Sequence, residues 1–285
     1  RGAARPGGVG VRGCARRVES LERRVAFAYV TQGEQGRVLM QWDNQLAEPF
    51  LYPQGSLSEL SRIATAIDKH AAEGTRVMGW WDELRRLQVL SETVKTAPAH
   101  RHETPFFPAA WRAEAPNALP VEKDFWLPSP GELAVESNYQ EYIAALLENE
   151  NAAVQRLRSI AGESELLLVV NAADAFKLGM TQPEKYGIGY KDFADTGNLH
   201  GTIERVKNWL EEQKFRQYLV QRVSDQKVRA YYLTDEQSQQ PLISALVPFS
   251  GRGPIHLKNF ELVYQYGSYW VYQLMPQSAE APPHS

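Results

Sequence analysis

Twice in this chain an amphipathic helical pattern stops at a glycine and is followed a few residues later by a short apolar run. The first pattern carries Leu60, Ile63, Ala64, Ile67 and Ala71 at helical spacing, reaches Gly74, and leads into Arg76-Val77-Met78-Gly79-Trp80. The second carries Tyr139, Ile143, Leu146, Leu147, Val154, Leu157 and Ile160, stops at Gly162, and leads into Leu166 to Val170. Helices that alternate with short, largely apolar runs indicate strands buried on both faces, which is the pattern of an α/β sheet. The expected fold is therefore α/β, with a mixed, mostly parallel sheet covered by helices on both faces.

Local signals set the element ends. Ser56-x-x-Glu59 and Ser137-x-x-Gln140 have capping-box spacing, the second at the start of one long helix, and Asp82 is placed to cap a helix carrying Leu84, Leu87 and Leu90. A third helix carries Ile203, Val206 and Leu210 and leads into Tyr218 to Val223, which the turn Ser224-Asp225-Gln226 joins to Lys227 to Leu233 as a hairpin. Thr234-x-x-Gln237 caps one more helix, which Pro241 must break or restart. His256 to Gln265 and Ser268 to Leu274, joined at Tyr266-Gly267, form a C-terminal β-hairpin.

Residues 96–131 differ from the rest, with Pro98, Pro105, Pro108, Pro116, Pro120, Pro128 and Pro130 among Phe106, Phe107, Trp111, Phe125 and Trp126. Proline at this density forbids long helices, and the aromatics favour withdrawal from water, so the stretch reads as an ordered insertion packed over the sheet. Phe106, Phe107, Trp111 and Trp126 are candidates for a partner surface, or for a cover over one sheet edge.

Charge is uneven. Of 31 Lys and Arg and 34 Asp and Glu, seven Arg and two Glu fall in residues 1–24, which carry +5, so the remainder carries −8. The basic segment reads as a disordered or misassigned leader, or as a nucleic-acid or membrane-surface arm, and residues 276–285 read as a loose tail. Residues 25–275 are expected to form a single α/β domain. Cationic residues in the body form no stripe interleaved with aromatics, so no nucleic-acid partner is expected. Cys14 is the only cysteine. This chain therefore supplies no internal disulfide, no Cys-based zinc or iron–sulfur site and no C-x-x-C-H haem attachment, and no cofactor is expected.

Two stretches gather groups suited to chemistry. Trp80-Trp81-Asp82 lies where a strand passes into a helix, the end of an α/β sheet at which ligands bind. A carboxylate beside two indoles can bind a cation or a sugar, or have its acidity altered; equally, Asp82 only caps the helix while the indoles fill the core. Lys191-Asp192-Phe193-Ala194-Asp195-Thr196-Gly197-Asn198-Leu199-His200 reads as a loop dense in reactive groups, with Lys191, Asp192, Asp195, Asn198 and His200 as ligand or partner candidates. Asp195-Thr196-Gly197-Asn198 is also ordinary turn composition. His100, His102 and Glu103 alternate on an extended segment and can be drawn as a surface metal site or as solvated side chains, and no metal site is expected. No catalytic residue is assigned. G-x-S-x-G, G-x-x-x-x-G-K-[ST] and H-E-x-x-H are absent, and Gly187-Ile188-Gly189 lacks the third glycine of a dinucleotide loop because Asp192 stands there.

Three segments carry a family resemblance: Val77-Met78-Gly79-Trp80-Trp81-Asp82, the stretch around Pro105 to Trp126, and Lys191-Asp192-Phe193 through Gly197-Asn198-Leu199-His200-Gly201. With Tyr231-Tyr232-Leu233-Thr234-Asp235-Glu236 and Leu246-Val247-Pro248-Phe249, they span about residues 50–275. In these the chain resembles the HaoB family, hydroxylamine oxidation proteins encoded beside octahaem hydroxylamine oxidoreductase. The resemblance implies an accessory, non-enzymatic protein of the periplasm, whose partner is octahaem hydroxylamine oxidoreductase or an associated cytochrome. It also implies an N-terminal membrane anchor that this sequence lacks, so contact with a membrane is expected only where that anchor is restored. No catalytic residue carries over. Trp80-Trp81-Asp82 after a strand, with Phe260-Glu261-Leu262-Val263-Tyr264 and Trp270-Val271-Tyr272, also looks like soluble parts of oligosaccharyltransferase-type membrane glycosyltransferases. That second resemblance implies, as the alternative function, a small-ligand-binding or enzymatic α/β domain.

Overall fold

The structure is a computed structural model. It describes residues 26–33, 36–44, 56–91, 93–96, 109–111, 113, 138–195, 197–224, 226–251 and 257–276. The chain opens with an antiparallel pair, β1 (Ala26–Gly33) and β2 (Gly36–Asn44). Then follow α1 (Leu57–His70), β3 (Arg76–Gly79), α2 (Trp81–Leu90) and β4 (Lys95–Thr96). After a 3-10 turn at Ala109–Trp111 come α3 (Asn138–Leu147), α4 (Glu150–Ala161), β5 (Leu166–Asn171) and α5 (Ala172–Thr181). β6 (Ile188–Ala194), α6 (Leu199–Glu212), β7 (Tyr218–Ser224), β8 (Lys227–Leu233) and α7 (Leu242–Leu246) precede the hairpin β9 (Phe260–Tyr266) and β10 (Tyr269–Leu274).

The fold is mixed α/β. Its largest sheet has five strands in the order β4-β3-β5-β10-β9. β3 pairs in parallel with β4 and β5, while β10 is antiparallel to both β5 and β9. The pairing is thus half parallel, where a parallel majority was expected. The C-terminal hairpin is the reason: β10 enters beside the central strand, with Val271 opposite Val169, instead of lying apart from it.

All six residues of β5 are buried, and its side chains alternate between two core clusters. Leu167 and Val169 pack with Leu60, Ile63 and Ile67 of α1, Leu84 and Leu87 of α2, and Val271. Leu166, Leu168 and Val170 pack with Tyr139, Tyr142 and Leu146 of α3, Leu157 and Ile160 of α4, and Leu242 and Leu246 of α7. Each fully buried Leu or Ile of this set contributes roughly 1.5–3 kcal/mol. A strand that is apolar from Leu166 to Val170 is stable here because neither of its faces meets water.

The hairpin β7–β8 forms as its sequence predicts, yet it does not join the five-stranded sheet. It makes a separate sheet of order β6-β8-β7. Val206 and Leu210 of α6 pack on Ala230 of this sheet, while Tyr231 and Leu233 enter the larger core beside Phe176. β6 takes Lys191 through Ala194 into a strand, with Asp192 opposite Arg229, where a loop was expected.

Several ends differ from their sequence signals. The single long helix expected after Ser137 is two, because the Asn149 side chain accepts the Ala152 N–H and starts a new helix at Glu150. Ser137 itself lies outside the described residues. Ser56 is the N-cap of α1 but makes no side-chain cap bond. Glu59, its intended partner, instead accepts from the Ser268 backbone N–H at 3.3 Å and Ser268 Oγ at 2.9 Å in the β9–β10 turn. The 3-10 turn Gln237–Gln239 is fixed by Asp235, whose carboxylate accepts from Ser238 N–H at 2.8 Å, and Pro241 is the N-cap from which α7 restarts.

Candidate functional site

The carboxyl ends of the adjacent parallel strands β3 and β5 each lead directly into a helix. After β3, Trp80 is the N-cap of α2, with extended backbone at φ −65° and ψ 140° and no side-chain cap bond. Asp82 is therefore not the cap. It lies in the first turn and faces inward. After β5, Asn171 caps α5 through a complete capping box: its side chain accepts from Ala173 N–H at 2.8 Å, and Asp174 Oδ2 accepts from Asn171 N–H at 2.7 Å.

These two helix starts bring together Asp82, Glu83 and Arg86 of α2 with Asp174 and Lys177 of α5, each no more than 3% exposed. Lys177 Nζ lies 3.3 Å from Asp174 Oδ1, 3.6 Å from Asp82 Oδ1 and 3.6 Å from Glu83 Oε1. Arg86 Nη2 lies 3.9 Å from Asp82 Oδ2 and 3.9 Å from Glu83 Oε1. The Tyr269 hydroxyl, from β10, donates to Glu83 Oε1 at 3.4 Å. The Trp80 ring lies 5.3 Å from Lys177 Nζ and meets Tyr139 edge-on at 6.1 Å. The cation that Trp80 and Asp82 attract is thus the protein's own Lys177.

The ionisation of the cluster follows from its burial. Burial lowers Lys177, but Asp82, Glu83 and Asp174 outweigh it and hold the ammonium above its usual range. Burial raises Asp174, against Lys177 and the Asn171 N–H. Glu83 is pushed up to about 8 by burial first, then by Asp174. Tyr139, Tyr142 and Tyr269 are held well above 10, chiefly by burial, and stay neutral. Among buried side-chain atoms, Trp80 Nε1, both Asp82 oxygens and Glu83 Oε2 have no hydrogen-bond partner.

The second candidate stretch is dispersed over a strand, a turn and a helix start. Lys191, on β6, is exposed and lies 4.2 Å from the Trp209 ring centroid. Asp192 accepts from Arg229 at 2.6 and 2.9 Å and meets Lys227 at 3.2 Å. Partial burial raises Asp192, but Arg229 and Lys227 outweigh it and leave it below its ordinary 3.8. Asp195 pairs with Arg222 at 3.1 Å and accepts from Gly197 N–H at 3.0 Å. Asn198 is the N-cap of α6, accepting from Gly201 N–H at 3.1 Å, and His200 is exposed in the first turn.

The two stretches therefore form no common constellation: Asp82 belongs to the cluster between α2 and α5, and Asp192 and Asp195 to ion pairs of the three-stranded sheet. Trp81 is half-buried against the larger core. Phe106, Phe107, Trp126, His100, His102 and Glu103 lie outside the described residues, and of Trp111 only the backbone, in the 3-10 turn, is described. Among the described residues no group of three or more His, Cys, Asp or Glu could hold a metal ion, and no helix is long and apolar enough to cross a membrane.

Two surface clefts are lined by none of the sequence-predicted site residues, although the second takes in Arg222, the partner of Asp195. One of about 300 Å3 lies between α1 and the outer strands, lined by Ile67, His70, Glu165, Tyr264 and Gln273 among others. One of about 380 Å3 lies between β7 and the β9–β10 turn, lined by Glu59, Leu219, Arg222, Ser268 and Trp270 among others.

Sequence reasoning passed over Glu83, Arg86, Asp174 and Lys177. The signal was present in α5, Ala-Ala-Asp-Ala-Phe-Lys-Leu-Gly-Met-Thr, which is apolar on every side apart from Asp174, Lys177 and Thr181. A helix apolar all round is buried, so its two charges must be buried and paired.

The family model described as HaoA-associated protein HaoB matches residues 13–274. No curated protein matches the sequence. Among solved structures, the crystal structure of the C. jejuni PglB C-terminal domain is similar to this chain at 12% identity and a TM-score of 0.41, covering 76% of this chain and 99% of that one.

Proposed function

This chain belongs to the family of HaoA-associated HaoB proteins, and we propose that it is a non-enzymatic partner or maturation factor of octahaem hydroxylamine oxidoreductase, or of a cytochrome that serves it. Membership ties it to hydroxylamine oxidation and nitrification. The single observation that carries the partner role is the family match over residues 13–274. The engagement of the reactive side chains supports it further. Asp82 is paired with Lys177 and Arg86 inside the cluster, Asp192 and Asp195 are bound to arginines, and Asn198 is used as a cap. Groups held in this way hold the fold together and leave recognition to the surface.

We place the protein in the periplasm on the family resemblance, where the −8 carried by residues 25–285 would attract a basic cytochrome over a distance set by salt. Affinity capture with the purified chain, from extracts of hydroxylamine-oxidising cells at low and high salt, tests the reading by haem absorbance and mass spectrometry. Retention of the octahaem enzyme or its cytochrome is expected, and loss at high salt would mark an ionic contact. Folded bait that retains neither at either salt, in cells whose enzyme matures normally without the gene, would overturn it.

A further inference from the structure

The buried cluster between α2 and α5 contains three carboxyl groups, Asp82, Glu83 and Asp174, and two cations, Arg86 and Lys177. A set this far from water is strongly unfavourable with a net charge, so one acid must keep its proton. Geometry selects which one. Asp174 accepts the Asn171 N–H and a Lys177 N–H, bonds that favour its ionised form. Neither Asp82 oxygen is hydrogen-bonded, but its nearest approaches to the two cations use both, Oδ1 to Lys177 at 3.6 Å and Oδ2 to Arg86 at 3.9 Å. Glu83 instead makes its nearest approaches to Lys177, Arg86 and the Tyr269 hydroxyl through one oxygen, Oε1, while Oε2 is buried with no hydrogen-bond partner. Oε2 is the seat for the proton.

We propose that the cluster is a one-proton latch: Glu83 docks α2 against α5 as the neutral acid, and its tendency to ionise makes α2 open more readily as the pH rises. α2 also packs against β1 and β2, so opening would release that hairpin with it. The groups that face Glu83 are Asp82 and Arg86 on its own helix, Asp174 and Lys177 on α5, Tyr269 on β10 and Tyr142 on α3. Burial raises Asp174 as well, while Lys177 and the Asn171 N–H favour its charged form. Burial, then Asp174, pushes Glu83 up to about 8 from an ordinary value of 4.5. An acid raised in the closed form stabilises it fully below the open-state value, and that stabilisation is lost as pH rises through the closed-state value. Between about pH 5 and pH 8 the opening equilibrium should therefore rise about tenfold per pH unit and then level. This device does not depend on the partner reading.

The test is amide hydrogen exchange over residues 81–90 and 26–44, corrected for intrinsic exchange, from pH 5.5 to 9 in wild type and Glu83→Gln. Glutamine keeps the shape of the side chain and cannot ionise. The wild type should show the tenfold-per-unit slope, and Glu83→Gln a flat profile. Equal slopes in the two proteins would overturn the proposal. Infrared difference spectroscopy of the wild type is the second measurement, which stands even if the variant fails to fold. A neutral carboxyl band present at pH 7 and lost near pH 8 is expected, and no such band at pH 7 would overturn the latch.

Discussion

Lys177 Nζ and Asp82 Oδ1 lie 3.6 Å apart on two different helices, both withdrawn almost wholly from water. The same ammonium also reaches Glu83 and Asp174, so one side chain of α5 holds three acid groups together. Lys177→Met should consequently leave buried acids facing a single guanidinium. The expected loss is about 3–5 kcal/mol of unfolding free energy, read by urea denaturation at pH 7. A loss below about 1 kcal/mol would mean that the cluster relaxes or floods without cost.

Asp192→Asn probes a second ion pair, one nearer to solvent. Arg229 is nearly buried and donates twice to Asp192, so removing the negative charge should cost about 1–2 kcal/mol at pH 7 after allowance for solvent screening. Asp192 is lowered in the folded state, so its contribution is present above the ordinary 3.8 and is lost as pH falls through the lower folded value. Wild type and variant should therefore differ at pH 7 and converge as pH falls through the lowered folded-state value. A constant difference across that range would assign the effect to shape instead of charge.

Gly79 closes β3 one residue before Trp80, and a Cβ there would lie 2.8 Å from the Val169 carbonyl oxygen on β5. That obstacle is backbone, so relief requires the two parallel strands to separate. Gly79→Ala should cost about 1–3 kcal/mol and loosen the junction from which α2 starts. Urea denaturation checks the stability, and the near-ultraviolet circular dichroism of Trp80 and Trp81 checks the junction. Full stability with an unchanged spectrum would show that the strands can part freely.

What was legible in the sequence followed from periodicity. The pattern Leu60, Ile63, Ala64, Ile67 gave a helix with those residues buried, and Leu166 to Val170 gave a strand with no exposed face. Both hairpins, β7–β8 and β9–β10, were legible from their turns. What was not legible depended on contacts distant in sequence. Glu59 has perfect spacing for a capping box, yet Ser268, supplied by the far end of the chain, competes for its carboxylate and wins. Whether β10 lies at the edge or beside β5 is a choice among partners that local composition does not encode. The cluster was hidden for a different reason. Asp82, Glu83 and Arg86 have the spacing of a solvated helix face, and only Lys177 and Asp174 on another helix make that face an interior one.

The final expectation separates local scaffolding from recognition in the stretch Lys191 to His200. Asn198 accepts the Gly201 N–H at the start of α6, one of the donors that a helix leaves unsatisfied. Asn198→Ala should cost about 1 kcal/mol, the usual value of an N-cap. His200, two residues on, is exposed, so His200→Ala should change stability by less than about 0.5 kcal/mol. If this stretch served as a small-ligand or catalytic site, His200 would be the residue whose loss removed activity from a folded protein. If the surface serves a protein partner, His200→Ala should retain the partner in affinity capture to within a few fold, because one exposed imidazole at a rim contributes little to binding. Urea denaturation of both variants, with capture repeated on His200→Ala, distinguishes these cases. A fully stable His200→Ala that loses all capture would relocate the docking surface to the start of α6, and with it the role of Asn198 from cap to contact.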